Sequence, residues 1–177
     1  MTKKIIVVNF DIESKSYQAF SEIKKMHLAK EIKGEQLAVV THKEDGTHQF
    51  EINDFIDFTG NNHSAKDSTI GMFVGLLGGP LGMMLGWFAG SMIGGAKDVN
   101  EVKEATSIFE FVAKQIDEGQ TGALLIAEEE DNRPLNELIF NHLGGHITRL
   151  DYAEVEQELA EAQKLEKEVK EKETDNN

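Results

Sequence analysis

The stretch from Ser68 to Ala96, STIGMFVGLLGGPLGMMLGWFAGSMIGGA, runs for 29 residues without a charged side chain and holds nine of the sixteen glycines. About 20 apolar residues suffice to cross a bilayer. Gly71, Gly75 and Gly79 are spaced by four, and so are Gly82, Gly86, Gly90 and Gly94. Four residues turn a helix by about 400°, so each series stays near one face. Phe73, Leu77, Met84, Trp87 and Phe88 fall on the opposite faces and are expected to meet lipid. In water each helical glycine costs about 1 kcal/mol relative to alanine. In a bilayer the backbone has no water to bond with, so helix is enforced, and small residues let two helices approach closely. The competing expectation is a helical hairpin buried in a soluble protein core, where glycine permits tight packing.

Gly78, Gly79 and Pro80 mark the expected reversal. Proline removes a helical hydrogen bond and clashes with the preceding turn. Two helical arms about Pro80 would be roughly 18 and 24 Å long, short of the roughly 30 Å hydrocarbon core. A single kinked span would reach across, but it would put residues 1–67 and 97–151 on opposite sides and divide a sheet that reads as continuous. A hairpin of re-entrant or tilted arms is therefore expected, its glycine faces pairing within or between subunits.

The flanking sequence predicts an α+β domain in two halves. In residues 1–67, Ile5 to Phe10 reads as a strand covered on both faces. A helix follows, capped by Asp11 or Ser14, with Tyr17, Phe20 and Ile23 on its apolar face. Leu37–Val40 and Thr47–Phe58 are strands joined through the Glu44-Asp45-Gly46 turn. In residues 97–152, a helix opens at the Asp98–Glu101 capping box and carries Val112 and Ile116 on its stripe. A strand over 122–127, a helix opened by Pro134 and a strand over 147–152 follow. With the 68–96 insertion skipped, the first six elements have ferredoxin-like order, β-α-β-β-α-β, followed by an extra helix and strand. Helices are expected on one sheet face. Residues 153–177 form an acidic helical tail, read as a solvated helix with a weak apolar stripe at Val155, Leu159, Ala162, Leu165 and Val169. The sharper reading of that stripe is a partner helix.

Charge narrows the partners. The net charge is −14, with −2 over residues 1–67, none over 68–96, −7 over 97–151 and −5 over 152–177. Without a basic stretch the chain lacks the means to neutralise phosphates, so nucleic acid is not expected as a partner. With no cysteine, disulfides, thiolate metal sites and a cysteine nucleophile are excluded. The apolar run after Met1-Thr2-Lys3-Lys4 is too short for a signal-peptide core, so the N-terminal domain is expected in the cytoplasm.

The opening KIIVVNFDIESKSYQAFSEIKKM, the AVVTHKEDGTHQF hairpin, the central LLGGPLGMMLG, then TGALLIAEE and the closing HLGGHITRLDY together resemble a bacterial family catalogued as domain-of-unknown-function family 1269, often labelled membrane protein. The resemblance covers roughly residues 3–152. It implies membrane association and no established activity, and it carries no catalytic residues to transfer.

Catalytic and cofactor signatures are not found. The glycine block has no lysine to reach a phosphate, which excludes a P-loop, and no Gly-x-Ser-x-Gly elbow occurs. His142 and His146 have helical ligand spacing, but Gly144-Gly145 breaks the helix between them. His42 and His48 flank the hairpin turn, where a metal would also need Glu44 or Asp45. Glu128-Glu129-Glu130-Asp131 reads as a solvated acidic loop ahead of the Pro134 helix rather than as a cation site. No catalytic, cofactor or metal residues are assigned. The expected protein is a non-enzymatic, membrane-associated homo-oligomer held at the cytoplasmic side of a bacterial membrane by its glycine hairpin, with a possible protein partner for the acidic helix. The alternative is a soluble, cytoplasmic homo-oligomeric scaffold with the hairpin in its core, used for binding or in a stress response.

Overall fold

Side chains of a strand alternate between faces, so a strand that is apolar at every position needs cover on both. Two strands here have that pattern, and they form the centre of the sheet. The computed structural model of the chain describes residues 2–44, 49–61, 64–77, 111–112 and 114–175. Its strands are β1 (Lys3–Asn9), β2 (Lys33–His42), β3 (Phe50–Asp57), β4 (Thr121–Glu128) and β5 (His146–Asp151). Its helices are α1 (Glu13–Leu28), α2 (Thr69–Leu77), α3 (Arg133–Asn136) and α4 (Tyr152–Asp175). A short 3-10 turn, Ala65–Asp67, precedes α2, and a π-helical turn, Glu137–His142, continues α3.

The five strands form one antiparallel sheet in the order β3-β2-β4-β1-β5. The register places Leu124 of β4 between Val7 of β1 and Ala38 of β2, and Leu125 between Ile6 and Leu37. Thus β4, which follows the glycine segment, is flanked by two strands that precede it. The two halves of the sequence interleave within one sheet.

Helices cover both sheet faces, not the one expected. Ile6, Val8, Leu37, Val39, Ala123 and Leu125 meet α1 and α3 through Phe20, Ile23, Leu135 and Ile139. On the other face Ile5, Val7, Ala38, Val40, Leu124 and Ile126 meet α2 and α4, together with Val112 and Ile116. The physical reason lies in β1 and β4, whose consecutive apolar positions each demand cover.

Several local expectations change. The residue at the start of α1 is Ile12, and no side chain caps the helix, so neither Asp11 nor Ser14 fills that role. Residues 111, 112, 114 and 115 are helical, while the Asp98–Glu101 box lies outside the described residues. The turn at Asp45-Gly46 also lies outside them, although the β2–β3 pairing it joins is present. The stripe of α4 is only partly solvated: Val155, Leu159 and Ala162 are buried against the sheet, and Leu165 packs beside them. Burial of this stripe gives the first half of α4 its partner within the same domain.

The start of the glycine segment belongs to the same core. Ile70, Phe73, Val74, Leu76 and Leu77 of α2 are all buried, Phe73 and Leu77 to 1% exposure. Phe73 and Leu77, expected to face lipid, therefore pack in the protein interior with the sheet and α4. Leu77 and Val112 share one hydrophobic cluster, so the described residues on either side of 78–110 pack on the same sheet face.

Candidate functional site

The acidic run after β4 is divided by strand alternation. Glu129 turns inward and its side chain is fully buried, while Glu128 and Glu130 turn the other way toward an open cavity. Arg149 of β5 meets Glu129 with two nitrogens, Nε to Oε2 at 2.7 Å and Nη2 to Oε1 at 3.0 Å. Its Nη1 donates to Asn136 Oδ1 at 2.7 Å, and Nη2 also reaches the Asn132 carbonyl at 3.4 Å. One guanidinium thereby ties β5, the loop after β4 and the start of α3. The bidentate geometry satisfies both carboxylate oxygens, as burial of a charge requires. Sequence reading placed Glu129 in a solvated loop; only its alternation with Glu128 and Glu130 hinted at an inward side chain.

Asp131, at the end of that run, accepts from the backbone N–H and the guanidinium of Arg133. Those hydrogen bonds hold its carboxyl below the ordinary carboxylate value. The pair is solvent-exposed and closes the turn into α3.

The cavity lies where α1 passes into β2. Its volume is about 540 Å³, and it is lined by His27, Leu28, Lys30, Glu31, Ile32, Lys33, Glu128 and Glu130. Two departures from regular backbone and one close ring contact lie at or beside it. Lys30 has φ +62°, the one non-glycine residue with positive φ among the described residues. It ends α1 in a Schellman-type closure, with Lys30 N–H donating to the His27 carbonyl and Glu31 N–H to Met26. Glu35 is skipped in the β2–β4 register, a β-bulge. At Gly34 a Cβ would stand 2.9 Å from the Phe58 ring, so only glycine lets that ring lie against the backbone.

The same glycine orients the histidine. Gly34 N–H donates to His27 Nδ1 at 3.0 Å, and the imidazole stacks on Phe58 with centroids 4.2 Å apart. With Nδ1 accepting, the neutral ring carries its proton on Nε2. Near the bulge, Lys3 pairs with Glu35 at 2.9 Å and lies 4.6 Å from the centroid of the Tyr152 ring. The hydrogen bond to Glu35 raises the Lys3 ammonium above its ordinary value. Sequence reading did not single out His27 or Lys30, and took Gly34 as the end of the connection before the second strand, whereas it lies within β2; the one available signal was a lysine where a helix C-terminus ordinarily takes glycine.

The glycine series divides at its first two members. A Cβ on Gly71 would run into the Ala65 carbonyl, so Gly71 is where α2 packs against the preceding 3-10 turn. At Gly75 no described residue lies within 4 Å of an added Cβ. Gly78, Gly79, Pro80, Gly82, Gly86, Gly90 and Gly94 lie outside the described residues, as do Met84, Trp87 and Phe88.

The histidine pairs do not converge either. His142 ends the π turn and His146 begins β5, so they share no helix face. His42 is buried, bonded through Nδ1 to the Ile116 carbonyl and stacked on Phe50; His48 lies outside the described residues. Among the described residues no three His, Asp or Glu side chains gather to hold a metal ion. No described helix is long and apolar enough to cross a membrane.

The fold and these sites define an α+β protein with a five-stranded antiparallel sheet between helices. Compared with known proteins, the chain matches no family model, no curated protein and no solved structure.

Proposed function

We propose that this chain is a non-enzymatic, membrane-associated bacterial protein, held at the cytoplasmic side by residues 78–96 and self-associating through the glycines of that stretch. The resemblance to domain-of-unknown-function family 1269 points the same way. Its core is read as ferredoxin-like, composed of β1, α1, β2, β4, α3 and β5, with β3 added at the edge beside β2. Two interleaved β-α-β units support that reading: β1-α1-β2 encloses β4, and β4-α3-β5 encloses β1. This choice of elements differs from the first six in the sequence.

The observation that carries the hairpin geometry is the interleaving of the two sequence halves; the membrane reading itself rests on the uncharged run. A segment whose flanking strands share one sheet must return to the side it left, which favours a hairpin over a single span. The uncharged residues outside α2 are 78–96. Folded as a helical hairpin, each arm would reach only about 14 Å, less than half the hydrocarbon thickness. The hairpin proposed therefore dips into one leaflet.

A second reading is favoured by the burial of Phe73 and Leu77 in the sheet core. If the rest of the segment is packed in the same manner, the protein is a soluble homo-oligomeric scaffold. Fractionation with a carbonate wash, followed by mass measurement with and without detergent, separates the two. Retention in the washed membrane supports the first; a detergent-free assembly of defined mass supports the second. Under either reading, changing Gly86 and Gly90 to Leu is expected to weaken self-association. An unchanged oligomer mass would remove the glycine contact from the proposal.

A further inference from the structure

We propose that the cavity at the α1–β2 turn binds a small zwitterion of the amino-acid type, with an aliphatic side chain of about leucine's size. The cavity volume, about 540 Å³, lies within the range that holds small-molecule ligands. Its lining provides three chemistries side by side. The Lys30 ammonium and the Nε2–H of His27 are donors suited to a carboxylate. Glu31 and Glu130 are carboxylates suited to an ammonium group. Leu28, 80% exposed, and Ile32 at the floor give an apolar wall.

The charges available there are not consumed by the fold. Among the described residues, Lys30, Glu31 and Glu130 form no ion pair, whereas Lys33 is paired with Glu128 at 3.6 Å. His27 is already fixed in ring plane and tautomer by Gly34 N–H and by Phe58, so its free nitrogen is a pre-oriented donor. Lys30 occupies a left-handed backbone position that glycine would fill with less strain. Strained non-glycine residues and β-bulges both concentrate at binding sites; here the first lines the cavity and the second lies in β2 two residues past the lining residue Lys33.

A single-charge ligand does not fit this lining as well. A simple carboxylate would leave its charge near Glu31 and Glu130, and a simple amine would stand near Lys30 and Lys33. A zwitterion answers both sets, and the free charge at each of its ends is worth a charge-assisted hydrogen bond.

The test uses the full-length chain and L-leucine as the probe, with isovalerate, isoamylamine and N-acetyl-L-leucine as comparisons. Amide chemical shifts are followed by NMR. Saturable shifts centred on residues 27–33 and 128–130 are expected with L-leucine, with each comparison compound weaker by about tenfold or more. Lys30→Gly is the decisive variant, because it relieves the backbone while removing the charge. It is expected to melt at the same or a higher temperature and to bind L-leucine about tenfold more weakly. Glu130→Gln, on the exposed side of the acidic run, is expected to weaken L-leucine without weakening isovalerate. Shifts that do not saturate, shifts centred elsewhere, equal binding of isovalerate or isoamylamine, or unchanged binding by Lys30→Gly would each overturn the proposal.

Discussion

Arg149 and Glu129 meet in a two-pronged ion pair, with the Glu129 side chain fully buried and that of Arg149 16% exposed. Neither charge could be held there alone. Together with Asn136 they fasten β5, the edge strand among the described residues, to the chain leaving β4. Removing one partner leaves the other charge buried and unpaired. Arg149→Ala is expected to lower stability by about 3 kcal/mol, read as a shift in the urea midpoint with unchanged slope. A variant as stable as the parent would mean that Glu129 is free to turn outward.

Gly71 and Gly75 belong to one four-residue series but have opposite surroundings. Gly71→Ala forces a methyl group into the Ala65 carbonyl and is expected to destabilise the domain by about 2 kcal/mol. Gly75→Ala meets no described neighbour on a helix and should be neutral or stabilising by up to about 1 kcal/mol. Thermal unfolding of the two variants side by side checks the contrast; similar losses at both would place Gly75 in a packed contact.

Phe73 separates a core residue from a lipid-facing one. At 1% exposure its truncation to Ala should cost about 3–5 kcal/mol in the absence of any membrane. Denaturant unfolding of the protein without lipid reads this directly. A loss seen only when lipid is present would return Phe73 to the bilayer.

Ser16 is buried in α1 and donates its hydroxyl hydrogen to the Thr121 carbonyl at the start of β4, at 2.8 Å. Ser16→Ala leaves that carbonyl's side-chain partner missing and should cost about 1 kcal/mol. The loss should appear in equilibrium unfolding without any change in secondary-structure content.

Much of the framework could be read from residue pattern. Ile5 to Val8 and Ala123 to Ala127 are apolar without interruption, which marked the first as a strand covered on both faces and the second as a further buried strand. Pro134 indicated the start of α3, and Gly144-Gly145 indicated that His142 and His146 would part. What was missed depended on contacts between distant residues. Only its alternation with Glu128 and Glu130 sets Glu129 apart locally; its burial follows from Arg149, twenty residues later. Nothing local marks His27, because its role depends on Gly34 and on Phe58, just past the end of β3.

The α2 residues show the limit most directly. An uncharged stretch rich in Leu, Phe and Gly satisfies a bilayer and a protein core equally well, because both are simply regions without water. Periodicity and composition alone determined that Ile70, Phe73, Val74 and Leu77 leave water. Tertiary structure decided where they go, since β1 and β4 present a second apolar face that α1 and α3 cannot reach. Burying that face took α2 and the first half of α4, and the order β3-β2-β4-β1-β5 brought the two flanks of the glycine segment back to one side.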